Sequence, residues 1–251
     1  MEIENPENSD IPALRNLWKQ AFGDSDAFLD GFFATGYSPE RCRCLKIQGE
    51  LGAAVYWFDV SCRGQRFAYL YALATEHRLR NRGLATALIR DTHGHLRKKG
   101  CQGAILVPGE PGLRPFYRKL GYENCGGMEI LSIQAGETPV FVRETDTETY
   151  AHLRRGYLPR DGVVEEGASL AYLATFTRFY AGEDFLLAAR QEGETFLGLE
   201  LLGNPQAAPG ILRTLAHSGG SFAIPGEGPF AMWHPLTKTA LPPGYFGLDL
   251  A

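Results

Sequence analysis

The segment from Arg66 to Thr86 constrains the fold more than any other. Arg66–Thr75 is nearly all apolar or aromatic, without polar alternation, which predicts a central strand covered on both faces. Six residues later, Arg82-Gly83-Leu84-Ala85-Thr86 opens a helix predicted to run to Lys99. Along it Leu84, Leu88 and His95 share one side, with Ala85, Ile89 and Leu96 beside them. A buried strand, a glycine-bearing turn and an amphipathic helix commit the chain to a layered α/β architecture. The same join makes an anion cradle. The first helical N–H groups have no intrahelical partner, and the helix dipole is positive there. Gly83 lets the backbone approach an anion without a Cβ in the way. Arg80 and Arg82 add charge, and residues 78–99 hold seven basic side chains against Asp91 alone. The plainer reading is a structural glycine beside solvated arginines. The dinucleotide fingerprint is absent, because only one of its three glycines is here.

Elements on either side fit one mixed domain. Ile11, Leu14, Leu17, Trp18, Ala21 and Phe22 recur at helical spacing, with Ser9 as the expected N-cap, Pro12 in the first turn and Gly23 as the stop. Ser25 can cap a second helix carrying Phe28, Leu29, Phe32 and Phe33. Cys44–Gln48 and Gly52–Ser61 read as a hairpin. Gly103–Val107 reads as a short buried strand, Leu113–Leu120 as a short helix closed by Gly121, and Met128–Gln134 as a strand. Beyond the connector Gly136-Glu137-Thr138-Pro139 a similar order recurs. Val140–Arg143 is expected as a strand, Glu148–Arg155 and Leu170–Tyr180 as helices, and Phe185–Gln191 with Thr195–Leu202 as a hairpin. Ile211–Ala216 reads as a short helix, and Ser221–Ile224, Phe230–His234 and Tyr245–Leu250 as strands. The expected boundaries are residues 1–134 and 139–251.

Composition narrows the class. The chain has 251 residues, 44% apolar and 22% charged, which suits globular domains. No apolar run approaches the ~18 residues of a membrane helix, and the acidic start Met1-Glu2-Ile3-Glu4 is unlike a signal peptide. Five scattered cysteines show neither CxxC spacing nor a disulfide framework, so a reduced, cytoplasmic protein is expected. Net charge is −4, but residues 1–133 carry +2 and residues 134–251 carry −6. A local basic cluster on an acidic chain suits a small polyanion better than a nucleic-acid duplex, which wants a broad basic face.

Two stretches resemble a known family. Arg80-Asn81-Arg82-Gly83-Leu84-Ala85 resembles the R/Q-x-x-G-x-G/A pyrophosphate motif of the GNAT acetyltransferases. Phe116-Tyr117-Arg118-Lys119-Leu120-Gly121-Tyr122-Glu123 resembles that family's F-Y-x-K-x-G-F-E signature. The resemblance covers residues 1–134 and implies a GNAT acyl-CoA N-acyltransferase fold, with acetyl-CoA as co-substrate. It implies pyrophosphate on the backbone of Asn81, Arg82, Gly83, Leu84, Ala85 and Thr86 beside Arg80. It places pantetheine along Leu73, Ala74 and Thr75 where that strand splays from the next. Leu17–Asp24, Phe28–Phe33 and the Pro108-Gly109-Glu110 turn resemble the branch containing Eis-type acetyltransferases, with Gly109 and Glu110 at the cofactor. That branch implies a second, degenerate GNAT-like half; 251 residues leave no room for the further C-terminal domain of its full-length members.

The roles follow. Tyr117 is the expected acid for the departing thiolate, with a packed core aromatic as the alternative. Tyr122 is assigned to the core. The general base is open among Glu110, Glu76, Asp59 and the chain's terminal carboxylate on Ala251, which the Eis-type resemblance brings in. Glu110 also suits a helix cap, and Asp59 a solvated strand end. Tyr69, Tyr71 and Leu73, alternating to one face, with Trp57 on the neighbouring strand, could line an acceptor pocket or simply be sheet core. His77, His93 and His95 do not make a metal site, since His93 and His95 face different sides of a helix. In the second half Pro205 and Pro209 remove N–H donors that a cradle would need, so no second cofactor is expected; Trp233 and His234 are residues to watch. The expected activity is transfer of acetyl from acetyl-CoA to a small-molecule or peptide amine by direct attack. The alternatives are a longer acyl-CoA donor and a non-catalytic CoA-binding regulator. No membrane, nucleic-acid or metal partner is expected, and oligomeric state is open.

Overall fold

The computed structural model describes residues 1–250. Two compact units emerge from the packing, one of residues 1–123 with 232–241, the other of 124–231 with the segment from Pro242 onward.

The first unit contains β1 (Glu2–Glu4), α1 (Ile11–Phe22), α2 (Asp26–Gly31), β2 (Cys42–Ile47), β3 (Glu50–Cys62), β4 (Gln65–Thr75), α3 (Leu84–Lys98), β5 (Gly103–Leu106) and α4 (Arg114–Lys119). Asp10, not Ser9, precedes α1, because residues 8–10 form a 3-10 turn. There the Asp10 carboxylate accepts the Glu7 N–H at 2.8 Å and pairs with Lys46 at 2.9 Å. Gly23 ends α1 in the left-handed region, and Ser25 Oγ accepts the Phe28 N–H at the head of α2. One π-helical turn, Phe32–Gly36, follows.

Strands β1 to β4 pair antiparallel in order. β4 pairs parallel with β5, as a strand–helix–strand crossover requires. Residues 232–235 pair antiparallel with the other edge of β5, Met232 opposite Leu106. One core lies between the sheet and α3, where Val55, Trp57, Ala68 and Leu70 meet Leu84, Leu88, Ile89 and Leu96.

The second unit contains β6 (Glu123–Gln134), β7 (Arg143–Thr145), α5 (Thr147–Tyr157), α6 (Ala168–Leu173), β8 (Arg178–Ala181), β9 (Phe185–Glu192), β10 (Thr195–Gly203), α7 (Ala208–Thr214) and β11 (Gly219–Pro235), which enters the first unit at Met232. β7 to β10 pair antiparallel in order, and β10 pairs parallel with β11 around α7. β6 also pairs with β11.

Four expectations for this unit need correction. The helix expected over Leu170–Tyr180 stops at Leu173, and Arg178–Ala181 is a strand. The β-branched and aromatic run Thr175–Tyr180 fits a pleated surface better than a helix, and β9 supplies the partner. The strand expected at Val140–Arg143 lies at Arg143–Thr145 instead; Thr214 Oγ1 takes the Val140 N–H and donates to the Val140 carbonyl. Ser221–Ile224 and Phe230–His234 belong to one strand, β11. Tyr245–Leu250 makes only an isolated bridge, from Tyr245 to Gly162.

A buried ion pair lies at the centre of this unit. Arg154 donates from Nε and Nη2 to the two Glu200 oxygens at 2.6 and 2.8 Å. The hydroxyls of Tyr150 and Tyr245 donate to the same carboxylate. Among the described residues, no helix is long and apolar enough to cross a membrane.

Candidate active site

β4 is partnered on both edges only as far as Tyr69. Its parallel register with β5 covers Phe67, Ala68 and Tyr69. β5 ends at Leu106 while β4 continues to Thr75, so the strands part and the β4 edge from Leu70 onward faces an opening. Within that stretch the pairing with β3 slips: Tyr71 faces Tyr56, Ala74 faces Ala54, and both Ala72 and Leu73 sit against Val55 alone. Ala72 is the bulged residue, with φ of +48°. A bulge takes backbone groups out of the ladder and re-aims the side chains beyond it.

That slip corrects the alternation expected for Tyr69, Tyr71 and Leu73. Tyr69 and Tyr71 lie among Trp18, Phe32 and Phe58, on the α1 side. Leu73, beyond the bulge, packs with the α3 core instead. Trp57 also lies on the α3 side, edge-on to His95 at 5.7 Å. Tyr56 and Phe58, not Trp57, are the β3 aromatics of Tyr71's group, Tyr56 through Trp18 and Phe32 and Phe58 directly.

At the end of β4 a 3-10 turn, His77–Leu79, leads to Asn81 and Gly83, both left-handed at φ of +62° and +78°. Gly83 N-caps α3, and the Ala87 N–H bonded to the Gly83 carbonyl closes the first helical turn. The N–H groups of Leu84, Ala85 and Thr86 precede that bond and are left for an external acceptor. A Cβ on Gly83 would meet nothing within 4 Å, so the space before the turn is open. Leu84 is buried and Leu88 seals the core behind it, fixing where the helix begins. Arg80, Asn81 and Arg82 are exposed around the opening, and Arg80 Nε donates to the Thr75 carbonyl at 3.3 Å. Ala74 is buried, while Thr75, Ala85 and Thr86 are half-buried. The expected residues from Leu73 to Thr86 thus fall on one strand end and one turn.

Tyr117 sits on α4, within the same core as Leu70, Leu84 and Leu106, and is 8% exposed. Burial pushes its phenol up to about 12, so the proton is retained at neutral pH. Gly109 and Glu110 are exposed in the loop after β5. Glu110 occupies the N-cap position of a 3-10 turn, but its carbonyl, not its carboxylate, takes the Leu113 N–H. That corrects the side-chain cap expected of it. The Glu76 carboxylate accepts the Arg78 N–H at 2.8 Å, which ties it into the turn. Asp59 is exposed in mid-strand, and Ala251 lies outside the described residues.

Among the described residues no group of three or more His, Cys, Asp or Glu could hold a metal ion. His93 instead lies 2.7 Å from the Tyr122 hydroxyl and stacks on His234. Sequence reasoning missed this cluster, because its members come from three distant segments. It missed the bulge too, because alanine gives no signal for a positive φ.

In the second unit β10 repeats the bulge against β9, at Leu199, before turning into α7. The turn is differently furnished. Pro205 and Pro209 bring no N–H, Asn204 Oδ1 already accepts the Gln206 N–H, and the Asp184 carboxylate accepts from Asn204 Nδ2. The Asp184 carboxylate thus borders this turn, whereas arginines flank the turn before α3.

Residues 2–125 match the family described as acetyltransferase (GNAT) domain. No curated protein sequence matches the chain. Among solved structures, a GCN5-related N-acetyltransferase from Anabaena variabilis is similar, with a TM-score of 0.73 at 14% identity over 94% of this chain and 73% of that one. Eis1 from Mycobacterium abscessus is similar with a TM-score of 0.67 at 13% identity, over 94% and 74%. A putative acetyltransferase from Pyrococcus horikoshii gives 0.62 at 11%, over 98% and 93%. At these identities the structures speak to the fold, and the family match speaks to the chemistry. Through residues 2–125 the chain belongs to the GNAT acetyltransferase family, and its enzyme class is that of an acyl-CoA-dependent N-acyltransferase.

Proposed function

We propose that the chain transfers acetyl from acetyl-CoA to an amine, with one working site in the first unit. The observation that carries this reading is the free edge of β4 running directly into a donor-rich, arginine-flanked turn. Pyrophosphate would take the N–H groups from Asn81 to Thr86, with Arg80 and Arg82 beside it. The pantetheine amides would pair with the β4 edge at Leu73, Ala74 and Thr75, as an added strand does. Gly109 and Glu110 would border the cofactor across the opening. Backbone N–H groups released at the Ala72 bulge would polarise the thioester carbonyl. The amine attacks directly, and Tyr117 gives its proton to the departing sulfur.

The acceptor is a small-molecule or peptide amine, and the −6 charge of residues 134–251 favours a cationic one. The second unit is a degenerate GNAT-like half that binds no CoA. We place the protein in the cytoplasm, away from nucleic acid and membrane. Product formation from acetyl-CoA with a panel of polyamines, aminoglycosides and peptide amines tests the reading. CoA binding without product from any of them would favour a non-catalytic CoA-binding regulator, and faster turnover of a longer acyl-CoA would change the donor.

A further inference from the structure

Two consecutive residues just after α4, Gly121 and Tyr122, are each held by a different imidazole. Tyr122 is buried, and its hydroxyl lies 2.7 Å from His93 Nε2 in the middle of α3. The Gly121 carbonyl accepts from His234 Nδ1 at 3.0 Å. The two imidazoles stack face to face, with centroids 4.3 Å apart and planes 7° from parallel. Each ring therefore limits the movement of the other.

The grip reaches Tyr117 through the backbone. The Tyr117 carbonyl accepts both the Leu120 N–H at 2.9 Å and the Tyr122 N–H at 3.1 Å. The Tyr122 ring also meets the Tyr117 ring edge-on, 5.7 Å between centroids. α4 has only six residues, and so short a helix has little stability of its own. Its orientation must be fixed from outside. The helix that fixes it is the one whose first turn forms the anion cradle. His93 stands about 14 Å along α3 from Leu84 at ~1.5 Å per residue.

We propose that His93 is a positioning residue for acyl transfer: tethered to Tyr122 and braced by His234, it sets the Tyr117 phenol relative to the cradle at the head of α3. The role rests on Tyr117 being the acid, as argued above. His93 suits the task chemically. Burial first, then His234 and Arg97, lower its pKa to about 3, so the ring stays neutral and can accept the Tyr122 proton. A Tyr–His pair that merely satisfied two buried polar atoms would stabilise the fold and leave turnover of the folded enzyme alone.

The test uses the full chain and thiol release from acetyl-CoA, with hydroxylamine as the acceptor probe. Hydroxylamine is unprotonated at neutral pH, so the assay does not depend on the enzyme's base. Tyr122→Phe and His93→Leu should each lower kcat about tenfold and leave KM for acetyl-CoA within about twofold, the signature of a misplaced reacting group. His93→Gln, whose amide reaches the place of Nε2, should recover most of the rate. Adding Tyr122→Phe to Tyr117→Phe should cost nothing further, since both act through one phenol. Wild-type kcat in Tyr122→Phe and His93→Leu, with Tyr117→Phe slow, would overturn the positioning role. So would a tenfold loss that persists on top of Tyr117→Phe. Should His93→Leu fail to melt cooperatively, Tyr122→Phe decides alone, because it keeps the ring. A wild-type rate in Tyr117→Phe would remove the acid itself, an outcome distinct from the other two.

Discussion

A buried phenol keeps its proton, and Tyr117 lies in the core that includes Leu70, Leu84 and Leu106. Tyr117→Phe retains the ring and its packing but has no proton to give. Steady-state kinetics should show kcat lower by roughly 10²–10⁴, with CoA affinity little changed. Since the folded pKa is pushed up to about 12, the wild-type kcat–pH profile should show no alkaline decline from this group until pH nears that value. Gly83→Asp adds a Cβ at a φ of +78° and an anion facing the open cradle. Calorimetric titration should find CoA binding lost while the melting transition persists. The sequence marks both residues as candidates for one reason: their sequence neighbours carry the signal. Gly83 sits between Arg82 and a helix start, and Tyr117 sits inside a compact signature. Leu73 was placed on the wrong face because side-chain parity in a strand survives only until the first bulge, and nothing about an alanine announces one.

Among elements, the helices α1, α3 and α4 of the first unit were read to within a residue or two, because each has a strong local stop: Gly23 after α1, Gly100 after α3, Gly121 after α4; β1 has no such signal and was not read. In the second unit the stops are tertiary. Residues 175–180 could continue α6 by spacing alone, yet Phe179 stacks on Tyr150 and Arg178–Ala181 pairs with β9. Periodicity cannot see such partners. The bulge in β4 carries its own prediction. Deleting Ala72 restores simple pairing with β3 and keeps Leu73, Ala74 and Thr75 on their faces, but it removes the backbone groups the bulge takes out of the ladder, so turnover of acetyl-CoA should fall while far-ultraviolet dichroism stays near wild type. Another prediction concerns α5 and β10. Arg154→Met strips Glu200 of its buried partner, and an unpaired buried carboxylate costs about 3–5 kcal/mol. Differential scanning calorimetry should record the loss as a melting temperature lower by roughly 6–20 °C at ~2–4 °C per kcal/mol.

For the molecule as a whole, one cradle rich in donors and one turn blocked by Pro205, Pro209 and Asp184 imply a single CoA per chain. A stoichiometry of two by calorimetry would refute that. The sheet of the first unit ends in residues 232–235, which pair with β5 from the far end of the sequence. A fragment of residues 1–134 should therefore fail to fold as a soluble monomer, its β5 edge left without a partner; a cooperative melt from that fragment would contradict this. The pairing also has a consequence in time. On the ribosome, β5 emerges well over a hundred residues ahead of Met232. At ~5–20 residues per second the nascent chain waits on the order of ten seconds with that strand open. The first unit is thus complete only once residues 232–235 have been made, and its yield in a cell depends on how well that interval is shielded.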